Sequence, residues 1–241
     1  MSTASGYMTV AGLSVDVVYK DIKNLHISVY PPMGRIRVAA PESTNEDTIR
    51  LAIVQRLSWI KRQREQLQTA DRQTKREMVS GETHYVWGER YRLDVSRHSG
   101  RYGVETKGNT LWVVTPEGTD PAGRRAALDR WYRRQLQAAL PAYLDRWQPI
   151  VGVEVGKVAI RRMKTKWGTC IASSGTVWLN PELAKKPPRC LEYIVVHEMT
   201  HLLERGHGER FISLMDGFLP DWRGRRDELN ALPLADEDWS A

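Results

Sequence analysis

Residues 197–207 constrain this chain more than any other stretch. His197-Glu198-Met199-Thr200-His201 is an H-E-x-x-H pentad, and His207 extends it to H-E-x-x-H-x5-H. On a helix, the two histidines of the pentad stand about 40° apart around the axis and one turn apart along it, so both imidazoles reach one ion. Glu198 falls within about 100° of both, beside such an ion and off it, where a carboxylate can take a proton from metal-bound water. A helix continued to His207 would carry that ring about 9 Å further along the axis. Gly206 is read as the break, because glycine tolerates the left-handed backbone that ends helices and reverses the chain.

Three neutral imidazoles with an open fourth position suit one zinc ion per chain, and the absence of thiolate ligands argues against a purely structural site. On spacing alone the third ligand stays open. Glu204 lies on the His197/His201 face, and Glu209 or Asp216 can be offered from the next helix. His26, His84 and His98 fall in β regions without companions and read as structural or solvent-facing.

At 241 residues, 41% hydrophobic and 27% charged, the chain can bury a core without disulfides, and global disorder is excluded. Nothing approaches the ~18 consecutive apolar residues of a membrane span. With two cysteines, Cys170 and Cys190, and no signal-like N-terminus, the expectation is a reduced, cytoplasmic chain. The net charge of +7 favours an acidic partner or substrate, although basic residues alternate with acids instead of forming blocks.

Hydropathy periodicity and turn residues predict an α+β chain without internal repeats. Leu13, Val15 and Val17, then Ile27 and Val29, then Ile36 and Val38 suggest a three-stranded meander. Ile49, Ile53, Leu57 and Ile60 place one long helix at about 45–75, and a second β stretch runs from Tyr85 to Val114. A composition shift at Pro116–Pro121 puts a boundary between a β-rich N-terminal region, 1–119, and a catalytic region, 120–241, unless the two run on as one continuous domain. A helix at about 122–148 is expected to kink or split at Pro141. A strand from Val153 to Met163 and a turn at Ser173-Ser174-Gly175 lead to Thr176–Leu179, then to the motif helix at about 189–205 and a final helix at about 209–218.

Just upstream of that turn, Lys164 and Lys166 stand ready to steady an oxyanion or a phosphate, and Trp167 to line a cleft; all three are candidate substrate-binding residues. An exposed strand edge there would pair with an extended peptide. Trp167, although a candidate, reads with Trp178 and Cys190 more as packing than as chemistry, and Cys170 equally as packing or site.

The segments Lys166–Cys170, Gly175–Asn180 and Tyr193–Phe211, together with the β-rich start and Arg130-Trp131-Tyr132-Arg133, resemble the YgjP-like metallopeptidase-domain family, relatives of the SprT-like zinc proteases. The resemblance covers nearly the whole chain. It implies a zincin-like fold, with the helix bearing the pentad on a small antiparallel sheet, zinc on His197, His201 and His207, and Glu198 as catalytic glutamate. It thereby favours His207 over Glu204. Thr169, Pro181, Gly208 and Ile212 depart from the family's usual residues, away from the ligands and the base.

The resulting expectation is a zinc-dependent metallopeptidase acting on a peptide or protein. A metal-dependent hydrolase of nucleotides or other phosphoanhydrides is the alternative, and a DNA-associated binding module or protease ranks third.

Overall fold

Apolar alternation in the first forty residues builds a sheet whose strands are joined by tight turns. In a computed structural model, which describes residues 5–30, 34–69, 76–97, 102–163 and 166–231, it comprises β1 (Ser5–Val10), β2 (Leu13–Lys20), β3 (His26–Tyr30) and β4 (Arg35–Pro41). The strand order is β1-β2-β4-β3, with β2 and β4 parallel. A meander would have placed β3 between them. Periodicity identifies strands but says nothing of which neighbour each one takes.

Asn45 caps α1 (Glu46–Gln55) by accepting the Thr48 N–H at 2.8 Å, and α2 (Leu57–Thr69) follows after a break at Arg56. The expected single helix is therefore two, and its far end, 70–75, lies outside the described residues. Val15, Ile36 and Val38 of the sheet pack with Ile49, Ile53 and Ile60 of the helices in a core of their own.

The chain divides into two units, one within residues 1–71 and one within 72–236. The second opens with β5 (Thr83–Val86), β6 (Glu89–Arg97), β7 (Gly103–Lys107) and β8 (Thr110–Thr115), in the order β5-β6-β8-β7 with β6 and β8 parallel. Val86, Leu93, Leu111 and Val113 from these strands join a core that runs through α3 (Pro121–Val151). The boundary therefore falls near residue 71 and not at 119. Pro116–Pro121 is only a connection inside one core, where a composition shift marks a turn and not a domain edge.

Asp120 caps α3 by accepting the Gly123 N–H at 2.7 Å, and Gly152, at φ 74°, ends it. Pro141 does not split this helix. Buried Leu136, Leu140 and Trp147 on either side tie both halves to the same core.

A small three-stranded sheet comes next: β9 (Lys157–Ile160), β10 (Gly168–Ile171) and β11 (Thr176–Leu179), in the order β10-β11-β9. It is mixed, since β11 pairs antiparallel with β10 and parallel with β9. Then come α4 (Pro188–Leu203), α5 (Glu209–Phe218) and α6 (Trp222–Ala231). Helix α6 was not expected from the sequence. Its run Arg-Gly-Arg-Arg-Asp-Glu hides a stripe in which Trp222 and Leu229 are buried. No described helix is long and apolar enough to cross a membrane.

Candidate metal centre

Pro188 occupies the first turn of α4, where its fixed φ suits the helix and its missing N–H costs nothing. Cys190, Leu191, Ile194, Val195, Val196 and Met199 are all buried, so the helix is apolar nearly all round and is held rigidly within the core. Thr200, fully buried, donates its hydroxyl to the Val196 carbonyl at 2.8 Å. The helix stops at Glu204, whose backbone is extended (φ −142°, ψ 117°). Gly206 does not carry the reversal: it lies outside the positive-φ residues, and the extended Glu204 has already turned the chain.

That stop brings His207 back to the pentad. The Nε2 atoms of His197, His201 and His207 stand 3.1–3.2 Å from one another, nearly an equilateral triangle. Nitrogens bound tetrahedrally at ~2.0–2.1 Å from one ion lie about 3.4 Å apart, close to this spacing. His201 Nδ1 donates to the Glu204 carbonyl at 3.0 Å, so its Nε2 carries a lone pair facing the other two rings. Burial and the neighbouring imidazoles push the His197 pKa down to about 3, and the same causes lower that of His207. Neutral rings with nitrogens converging on one point repel unless a cation lies between them. The donor set therefore fits a divalent metal of the zinc type.

Phe211, four residues beyond His207 on α5, supports all three rings. It stacks on His201 at 4.7 Å between centroids and lies edge-on to His197 and His207 at 5.0 and 4.8 Å. Of the acids offered as third ligands, none joins the cluster of ligand atoms that the three histidines form, and two are engaged elsewhere. Glu204 accepts the Gly206 N–H and faces Arg210, while Asp216 accepts the Trp222 indole N–H and pairs with Arg223.

Glu198 lies against Gly168 of β10 and shares one cleft with the three histidines. It is 4% exposed, its Oε2 has no hydrogen-bond partner among the described residues, and burial pushes its pKa up to about 8 against the opposing charge of Lys166. The approach to Gly168 is so close that a Cβ there would stand 2.6 Å from Glu198 Oε1. Only glycine leaves room for the carboxylate. Asn180 organises the preceding loop, donating from Nδ2 to the carbonyls of Met163 and Lys166 at 2.9 and 3.0 Å.

These residues line a cleft of about 710 Å3. Lys166, Trp167 and Gly168–Ser173 form one wall; Tyr193, Arg205, Arg226 and Leu229 contribute elsewhere. Of the candidate substrate-binding residues, Lys166 and Trp167 reach the cleft, whereas Lys164 lies outside the described residues. Cys170 is in the wall, its thiol pushed up by burial; Cys190 is buried, pushed up to about 12 by burial and Glu228. His84 is buried against Glu82, His26 is exposed, and His98 lies outside the described residues. Sequence reasoning missed Phe211, Gly168, Arg205 and Arg226 as parts of the site. Only Phe211 carried a local signal, its nearness in sequence to His207 at the start of the next helix.

The family model for the YgjP-like metallopeptidase domain matches residues 23–232. No curated protein gives a significant match. The crystal structure of the metallopeptidase zymogen of Pyrococcus abyssi abylysin is similar over 37% of this chain and 90% of that one, at 22% identity and a TM-score of 0.35.

Proposed function

Because the chain belongs to the YgjP-like metallopeptidase-domain family, we propose that it is a zinc-dependent peptidase with His197, His201 and His207 as metal ligands and Glu198 as general base. The observation that carries the reading is the convergence of three Nε2 atoms beside a buried carboxyl whose Oε2 has no hydrogen-bond partner among the described residues. An ion held there supplies Lewis acidity toward a carbonyl oxygen and toward water.

The chain's own residues do the rest. Glu198 takes a proton from the attacking water and returns it to the leaving amine, a two-way role that favours a pKa near the working pH. Gly168 fixes where that carboxylate sits, and Phe211 and the Glu204 carbonyl fix the imidazoles. Strand β10 is at the edge of its sheet and lines the cleft, so an extended peptide can add to it by backbone hydrogen bonds, with Trp167 as an apolar contact.

Elemental analysis of purified protein tests the ligand set. About one zinc per chain is expected, lowered in His207→Ala and retained in Glu198→Gln; full retention without His207 refutes the set. Peptidase activity of Glu198→Gln should fall by about 10²–10⁴. Gly168→Ala should also cut turnover, since the added Cβ would stand 2.6–2.9 Å from Oε1, Cγ and Cδ of Glu198 and must shift the carboxylate. Wild-type turnover in Gly168→Ala would mean that the carboxylate's position is not set there.

A further inference from the structure

Outside the cleft, several cations of the second unit are matched to acids. Arg146 and Arg225 share Glu192, Arg189 pairs with Glu228, Arg223 with Asp216, and Lys185 with Glu182. The cleft is different. Among the described residues its lining includes Lys166, Arg205 and Arg226 but a single carboxyl, Glu198, which is buried. Arg226 is partly satisfied by Asp227 at 2.9 Å and lies over the Trp222 ring. The side chains of Lys166 and Arg205, both exposed, make no hydrogen bond or ion pair among the described residues.

We propose that Lys166 and Arg205 form an anion-recognition pair that makes the cleft selective for peptides carrying an acidic side chain in the segment it holds. The inference rests on the peptidase reading and names its substrate class. The two cations come from different walls, Lys166 from the loop entering β10 and Arg205 from the turn between α4 and His207. An extended chain laid along β10 therefore passes between a cation on the strand side and one on the metal side. Both are long and exposed, and among the described residues an acidic segment meets no acid on the lining other than Glu198. A lysine-bearing peptide meets like charge on both sides. A groove lined by one sign of charge also raises the local concentration of the opposite sign by roughly 10–10³, an effect that falls with ionic strength.

The test uses the full, metal-loaded chain and three fluorogenic peptides, identical except for Glu, Gln or Lys at the positions flanking the scissile bond. Wild type should favour Glu over Lys by about 10² in kcat/KM at low salt, with the ratio shrinking as salt is raised. Lys166→Gln and Arg205→Gln should each reduce that ratio about tenfold, and the double variant should bring it close to one. In parallel, fluorescence anisotropy measures binding of the same peptides to Glu198→Gln, with and without the two further substitutions. Cleavage of all three peptides alike, or a preference unchanged in the double variant, overturns the inference and leaves the peptidase reading standing. If no peptide is cleaved yet Glu198→Gln binds the Glu peptide selectively through Lys166 and Arg205, the peptidase reading fails and the recognition pair is supported. Glu198-dependent hydrolysis of a nucleoside triphosphate, with no peptide cleaved or selectively bound, overturns both.

Discussion

The two four-stranded sheets, β1–β4 and β5–β8, share one plan. Each runs hairpin, parallel crossover, hairpin, in the same order across the sheet. Each also begins with a two-residue turn whose central residues both have positive φ: Ala11-Gly12 at 49° and 76°, Trp87-Gly88 at 52° and 88°. This repetition is invisible in the residues themselves, which read as repeat-free. What differs is contact. A Cβ at Gly12 would meet nothing within 4 Å, whereas one at Gly88 would stand 2.8 Å from Pro187, the residue just before α4. Trp87 and Gly88 also donate their N–H groups to the carbonyls of Ala184 and Lys185. The first sheet closes its core with α1 and α2; the second places its apolar face in the core that holds the metal helix. The same β plan is self-contained in one unit and a foundation for the site in the other.

Core truncation is the largest perturbation of that contrast. Leu111→Ala and Ile53→Ala each remove a fully buried side chain, at about 2–5 kcal/mol apiece. Hydrogen exchange should show lost protection in 188–203 for Leu111→Ala only, and lost protection confined to 13–60 for Ile53→Ala. Equal loss at 188–203 in both variants would break the comparison. Next come the turn glycines. Gly12→Ala should cost about 1–2 kcal/mol for the left-handed backbone alone, and Gly88→Ala about 3 kcal/mol once the contact with Pro187 is added. Thermal melts of the two variants decide, and equal losses would mean the docked turn carries no stability.

The smallest effect concerns pH. The second sheet buries His84 where the first, counted back from the same turn, has Met8. Burial lowers the His84 pKa to about 4, against the hydrogen bond to Glu82 that raises it. The unfolded chain thus binds the proton more readily, so this contribution is full above about pH 6.5 and is lost as pH falls from there toward 4. His84→Met should flatten the acid limb of the stability curve over that window; an unchanged limb would assign it to other groups.

Much of the site is legible in the residues alone. The i, i+4 histidines meet because helix geometry puts them on one face, and Glu198 follows from the same arithmetic. The core faces of β2, β4, α1 and α3 follow from periodicities of two and 3.6. These are local properties, settled within a few residues of chain, and so the order of amino acids suffices for them. The assembled fold, by contrast, sets the parallel crossovers, the division near residue 71, and the turn that returns His207 through an extended Glu204 and not through Gly206. It also sets the seating of Glu198 on Gly168, the Phe211 ring behind three imidazoles, and which cations go unmatched. Each of these depends on groups that the fold brings together from separate elements. Hydropathy period records only which face of an element is apolar, never which other element will cover it.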